Sequence, residues 1–178
     1  MLKVYKYIIL IVITIFFISC KKEKAKSIRS IDIYQSYDLN KKATYFNVPP
    51  GLVSIFLDES QPGNAELKSL LKDTKQLSFL IFTKPKGCNM ECKYYNELNF
   101  RLDSIKFRDL AQINNGKEIV RVKVDKHNRE YKELVVLVSN CKALYCISFQ
   151  GDITPKKVVN LVKPENVRAV TNLDRFNR

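Results

Sequence analysis

Residues 132–153 have the sequence KELVVLVSNCKALYCISFQGDI, in which two apolar runs are joined by a short polar turn. The first run, residues 134–138, is continuously apolar and rich in valine, which is typical of a central strand. Residues 140–142 turn the chain, and residues 144–150 form the next predicted strand. Strands joined by so short a turn pair in antiparallel fashion, so this stretch predicts the middle of an antiparallel sheet.

Further strands are predicted on the N-terminal side of this stretch. Residues 117–126 alternate in polarity, which predicts a strand with one apolar face and one face in water. Arg121 and Lys123 belong to the wet face. The run LSFLIFT at residues 77–83 predicts a buried strand, and residues 105–113 alternate weakly and are a candidate for another.

Helices are predicted before and after the strands. Pro49 and Pro50 precede an apolar segment at residues 52–57, which suits a short helix because proline is tolerated in the first helical turn. Capping residues and apolar spacing predict three more helices: one capped by Asn64, one over residues 91–102, and one capped by Thr154 and opened by Pro155. The order of elements predicts an α+β fold, with an antiparallel sheet of four to five strands and helices packed on one face as a two-layer sandwich.

Several of these segments resemble a known family. The strongest are KELVVLV at residues 132–138 and CISFQGDI at residues 146–153, and the others are VPPGL at 48–52, ELKSLL at 66–71, the strand at 77–83 and the helix at 95–98. In these features the chain is similar to bacterial lipoproteins that carry the domain of unknown function numbered 4252. The resemblance implies a lipoprotein signal and this architecture, and because the family has no assigned activity it offers no catalytic residue to carry over.

The N-terminal residues indicate export and lipidation. Lys3 and Lys6 precede an apolar run at residues 8–18, and Ser19 stands directly before Cys20. The run is short for a membrane span, so the pattern predicts a lipoprotein signal at residues 1–19. Cys20 would then be the acylated first residue of the mature protein. An uncleaved signal anchor and an ordinary secretory signal are the alternatives.

Composition predicts the remaining boundaries. Residues 20–43 are expected to be a lipidated tether and a loosely packed arm, residues 44–164 the α+β domain, and residues 165–178 a basic C-terminal tail. Lys21 follows Cys20, whereas an acidic residue there would resemble an inner-membrane retention signal. We therefore expect the outer membrane, with the domain facing the periplasm or the outside.

The formal net charge of the chain is +13. Because the protein is predicted to be exported, this charge does not indicate nucleic acid. Because the lysines are scattered along the chain, most of them are expected simply to solvate the surface. The partners considered are the membrane, through the anchor, and an envelope protein or an anionic envelope polymer. Arg121 and Lys123 are the candidate face for such an anionic partner.

The expected function is non-catalytic binding or a structural role. His127, the only histidine, lies in a predicted polar turn and is expected to be solvated. The carboxylates are dispersed and have no identifiable partners, so no catalytic residue is predicted. No metal is expected, and no cofactor beyond the covalent lipid on Cys20.

Four more cysteines follow the predicted lipidation site: Cys88, Cys92, Cys141 and Cys146. An even number in an exported chain predicts disulfides, with unpaired structural thiols as the alternative. If the strands that precede Cys88 and Cys141 run parallel and side by side, Cys88 or Cys92 approaches Cys141. The alternative function is a thiol redox or metal-binding envelope protein using these four cysteines, although their spacings differ from the usual C-x₂-C.

Overall fold

A computed structural model describes residues 29–40, 42–84, 93–127 and 129–173 of the chain. Six strands occur in these ranges and form one antiparallel sheet. They are β1 (Thr44–Val48), β2 (Thr74–Thr83), β3 (Arg108–Asn114), β4 (Glu118–His127), β5 (Glu130–Asn140) and β6 (Ala143–Ile153). The α+β class is confirmed, and the predicted number of four to five strands is too small.

Six helices occur in the same described ranges. They are α1 (Ser30–Leu39), α2 (Pro50–Ile55), α3 (Asn64–Asp73), α4 (Lys93–Ser104), α5 (Pro155–Leu161) and α6 (Pro164–Thr171). Three of them begin with proline, which has no N–H to leave unpaired in the first turn. Among the described residues, no helix combines the length and the apolar character needed to cross a membrane.

The strands are arranged in the order β1-β2-β6-β5-β4-β3. The last four strands of the chain form a meander, while β2 pairs with the free side of β6 and β1 forms the edge beyond it. Residues 132–153 therefore span the two central strands, β5 and β6. The edge strand β1 has only five residues, and its side chains are exposed or half-exposed.

Helices cover both faces of the sheet, so the predicted two-layer arrangement is wrong. One face packs against α2, α3, α5 and α6 through a first core that includes Leu70 and Phe149. The other packs against α1 and α4 through a second core that includes Tyr34 and Leu137. Residues 134–138 are apolar without interruption because both faces of β5 are buried.

The folded domain extends beyond the predicted range of 44–164 at both ends. Tyr34 and Tyr37 of α1 are buried in the second core, so the segment predicted as a loose arm is part of the fold. Val167 and Val170 of α6 are buried in the first core, so the predicted tail is a docked helix as far as it is described. Each such side chain contributes about 1.5–3 kcal/mol by leaving water.

The backbone of α6 lies very close to the backbone at the start of α3. Gly63, the N-cap of α3, has a φ of +80°. A Cβ atom at this position would lie 2.3 Å from the carbonyl oxygen of Asn166. Glycine is therefore required here both by the left-handed backbone and by the space that α6 leaves.

Replacing Gly63 by alanine should destabilise the protein more than the same change at Gly116. Gly116 has a similar φ of +77° but no atom within 4 Å of its would-be Cβ. Both changes incur about 1–2 kcal/mol for the left-handed conformation. Gly63→Ala should add about 1–3 kcal/mol by displacing α6.

Urea unfolding of the two purified full-length variants measures this difference. Equal losses of unfolding free energy would contradict the docking of α6 on α3.

Candidate functional site

Lys123 lies on the sheet face that was predicted to be wet, and the structure buries it completely. Its ammonium nitrogen lies 2.7 Å from Oδ1 of Asp103 on α4 and 2.8 Å from Oδ1 of Asp109 on β3. Arg121 is 22% exposed, and its guanidinium carbon lies 5.6 Å from the centroid of the Tyr95 ring. The prediction of an open anion-binding face is wrong because α4 covers it.

A second polar group is buried on the same face of the sheet, where β5 and β6 pair. Glu133 of β5 is 6% exposed and lies opposite Gln150 of β6. Ser30, the first residue of α1, and Ser148 of β6 each donate a hydroxyl hydrogen bond to Oε1 of Glu133. This carboxyl group thus joins α1 to the centre of the sheet.

Burial raises the pKa of the Glu133 carboxyl above its ordinary value. The hydroxyl hydrogen bonds from Ser148 and Ser30 favour the carboxylate and oppose this shift, but desolvation is the larger effect. A carboxyl group in such surroundings retains its proton to a higher pH than an exposed one. Buried ionisable groups with shifted pKa values are candidates for functional sites when they line a cleft.

Glu133 does line a cleft. An open cavity of about 680 Å³ lies between the end of α4 and the β4–β5 hairpin. A second lobe of about 630 Å³ shares part of its wall. We call the two lobes the Glu133 cleft; their walls are residues 103–108 and 125–127, with Arg29, Lys132, Glu133 and Gln150. His127 is the last residue of β4 and is exposed on this wall.

The walls of the Glu133 cleft carry unpaired positive charge. Lys106, Arg108 and Lys126 are exposed there, and none of them forms a salt bridge within the described part of the chain. Asp103, Asp125 and Glu133 are the acidic residues on these walls. Asp103 is paired with the buried Lys123, so only the other two are available to neutralise the exposed cations. An excess of cations over available anions suits a negatively charged ligand.

Lys132, on the wall beside Glu133, is already neutralised. Its ammonium nitrogen lies 2.6 Å from Oδ1 of Asp152 and 3.1 Å from Oε2 of Glu130. Hydrogen bonds from Lys132 and then from Lys75 lower the pKa of Asp152 to about 2. Asp152 is therefore ionised at neutral pH, and the free positive charge of the cleft lies on Lys106 and its neighbours.

Lys106 has a strained backbone. Its φ is +78°, and it is the only non-glycine residue with positive φ in the described ranges. The N–H of Lys106 donates to the carbonyl of Asp103 at 3.1 Å, and the N–H of Phe107 donates to that of Leu102 at 3.2 Å. These bonds form a Schellman motif at the end of α4, where glycine is the usual residue. A lysine there costs about 1–2 kcal/mol of conformational energy.

The two described cysteines do not share a site. Cys141 is exposed in the β5–β6 turn and Cys146 is buried within β6, and neither is bonded to another cysteine of the described ranges. Burial raises the pKa of the Cys146 thiol, which donates a 3.0 Å hydrogen bond to the hydroxyl oxygen of Tyr34. A protonated, buried thiol is a poor nucleophile and a poor metal ligand. This environment argues against Cys146 as a member of the alternative redox or metal site.

Three of the predicted site residues lie outside the described residues: Cys20, Cys88 and Cys92. The strands β2 and β5 run parallel, but they are not side by side because β6 lies between them. The ammonium nitrogen of Lys84, just after β2, lies 2.8 Å from the carbonyl oxygen of Asn140. The chain therefore leaves β2 beside the turn that carries Cys141, and the predicted pairing of Cys141 with Cys88 or Cys92 stays a prediction.

Sequence reasoning missed Glu133. The available signal was a lone acidic residue directly before the apolar run of residues 134–138, but nothing local shows that α1 brings Ser30 to it. Within the described residues, no group of three or more His, Cys, Asp or Glu side chains is arranged to hold a metal ion.

Comparison with protein families gives one match. Residues 37–161 match the model of a family described as "Domain of unknown function (DUF4252)", which covers more than two thirds of the chain. The matched range contains the six described strands and every wall residue of the cleft except Arg29. Arg29 and Ser30 precede the matched range. No curated protein and no solved structure matches the chain.

Two substitutions of Lys123 should distinguish the contribution of side-chain packing to the unfolding free energy from the contribution of charge. Lys123→Met keeps the length of the side chain and should change the unfolding free energy by less than about 1.5 kcal/mol. The two carboxylates that it leaves, Asp103 and Asp109, are 53% and 54% exposed and stay solvated without the lysine. Lys123→Glu buries a carboxylate beside Asp103 and Asp109 and should cost more than about 3 kcal/mol. Thermal unfolding of both variants tests this, and a stable Lys123→Glu protein would contradict the burial.

Glu133→Gln should remove a pH dependence of stability. Because the folded pKa is raised, the native state binds more protons than the unfolded state between the ordinary pKa of 4.5 and the raised value. The unfolding free energy contributed by Glu133 is thus fully present below pH 4.5 and falls as pH rises through the folded pKa.

Urea unfolding at acid and at neutral pH measures this effect. Relative to Glu133→Gln, the wild-type protein should lose stability on going to neutral pH. The matched control is Glu165→Gln, an exposed site on α6 that should not show this loss. A gain in the relative stability of the wild type at neutral pH would contradict the assignment.

Proposed function

The chain belongs to the family described as a domain of unknown function (DUF4252), and we propose that it is a lipid-anchored, non-catalytic binding module of the cell envelope. Its ligand is an anionic envelope molecule held in the Glu133 cleft. The observation that carries this proposal is the convergence of three unpaired cations, Lys106, Arg108 and Lys126, on one cleft with a buried carboxyl group.

The anchor is supported by the N-terminal sequence. A basic start, a short apolar run and Ser19-Cys20 fit a lipoprotein signal of residues 1–19, and the family resemblance also implies one. The acyl chains on Cys20 would tether the domain stably, since each buried methylene contributes about 0.8 kcal/mol. Lys21 after the lipidated cysteine favours the outer membrane.

The cleft supports binding to an anion. Exposed Lys and Arg side chains supply the charge, and the side chains of Gln150 and Ser104 add hydrogen-bonding groups to the walls. The site thus combines an electrostatic attraction with polar groups that select an orientation.

Replacing the predicted lipidation site tests the anchor. Cys20→Ser should abolish incorporation of radiolabelled fatty acid and release the protein from the membrane fraction. Cys141→Ser is the matched control and should leave both unchanged. Labelling of the Cys20→Ser protein at the wild-type level would overturn the lipoprotein assignment.

The single histidine provides a specific readout for the cleft. His127 lies on the wall of both lobes, so its ring resonance in NMR reports on this site alone. Titrating the detergent-solubilised full chain with pyrophosphate should shift that resonance to saturation. Lys106→Ala combined with Arg108→Ala should weaken the apparent affinity by roughly tenfold, and added salt should weaken it further.

Lys117→Ala is the matched control for the titration. Lys117 is also exposed, but it lies in the β3–β4 turn at the opposite end of β4. This variant should titrate like the wild type. If pyrophosphate does not shift the His127 resonance, the cleft is not an anion site and the proposed function fails.

A further inference from the structure

Arg29 is both a wall residue of the Glu133 cleft and the point where the described domain meets the N-terminal segment. Ser30 follows it and is fixed to Glu133 by a hydrogen bond. The chain therefore enters the folded domain at the cleft itself. The hydrogen bond between Ser30 and Glu133 holds this entry point at the cleft.

The segment between Cys20 and Arg29 limits how far the cleft can be from the anchor. Only residues 20–28 precede Arg29 in the mature chain that the proposed function implies. A fully extended chain of this length reaches about 30 Å. The cleft is thus confined to a layer next to the bilayer in which the acyl chains are inserted.

The charges outside the cleft have the same sign as those on its walls. The connecting segment contains Lys21, Lys22, Lys24 and Lys26, with Glu23 as its one acidic residue. Basic residues beside a lipid anchor are attracted to anionic headgroups. This attraction draws the entry point, and with it the cleft, toward the headgroup layer.

From this geometry we infer that the ligand of the Glu133 cleft is the phosphate of an anionic phospholipid headgroup in the bilayer that holds the anchor. The inference rests on the proposed function and names its ligand. Lys106, Arg108 and Lys126 would bind the phosphate. The bound headgroup would hold the domain against the membrane through a second contact besides the acyl chains.

The experiment uses the full lipidated chain, labelled with ¹³C in the histidine ring and inserted into nanodiscs. One sample has phosphatidylcholine alone, a second includes phosphatidylglycerol, and a third has phosphatidylcholine with soluble glycerol phosphate added. Phosphatidylglycerol should shift the His127 resonance without any soluble phosphate. Soluble glycerol phosphate should need on the order of millimolar concentration for the same shift, because tethering supplies an effective concentration of that order.

Variants distinguish binding in the cleft from attraction of the connecting segment. Lys106→Ala with Arg108→Ala should remove most of the shift in phosphatidylglycerol discs while the urea midpoint stays unchanged, and Lys117→Ala should retain the shift. If the double variant still shows the full shift, the cleft is not the headgroup site and the inference is overturned.

The remaining outcomes separate this inference from the function on which it rests. A shift with soluble glycerol phosphate but none with phosphatidylglycerol discs overturns the membrane ligand and leaves anion binding in place. The absence of a shift in all samples overturns both.

Discussion

The central strand β6 is buried on both of its faces, and the arrangement of the helices depends on this constraint. Phe149 faces the first core and Cys146 the second, and both side chains are fully buried. A sheet that is apolar on both sides needs cover on both sides. Among the described residues, the segment between β2 and β3 contributes α4 to the second core, and α1 from the N-terminal side packs beside it. On the other face α6 completes the cover that α3 and α5 begin.

The sequence predicts the parts of this fold whose signals are local. The runs in β5 and β6, the turn at residues 140–142 and the proline-led starts of α2 and α5 were all predicted because each depends on its own residues. The docking of α1 and α6 was not predicted, because a short segment such as SIDIYQSYDL, which has no clear apolar period, does not show what it packs against. The alternation in β4 likewise shows two unlike faces, but it does not distinguish water from the covered ion pair of Lys123.

Lys123 and Glu133 are both buried on the second face, yet their surroundings differ in kind. Lys123 is paired with two carboxylates, so its charge is compensated and α4 is joined to β4. Glu133 accepts hydrogen bonds from two neutral hydroxyls and has no counterion in contact among the described residues. An uncompensated acid is a costly way to attach a helix, since an apolar side chain would do so without desolvating a carboxyl group. Its place on the wall of a cleft supplies a reason for it that packing does not.

The strained backbone of Lys106 is a second, independent observation that indicates a function for the same cleft. The Schellman motif at the end of α4 would be more stable with glycine, and the lysine side chain makes no ion pair in the described part of the chain that offsets the strain. Strain in the backbone, an acid without a counterion and unpaired cations are separate departures from what stability alone favours. Departures of this kind gather at functional sites. That all three occur on the walls of one cleft, at the point where the chain enters the domain, favours a binding role for this place over a structural one.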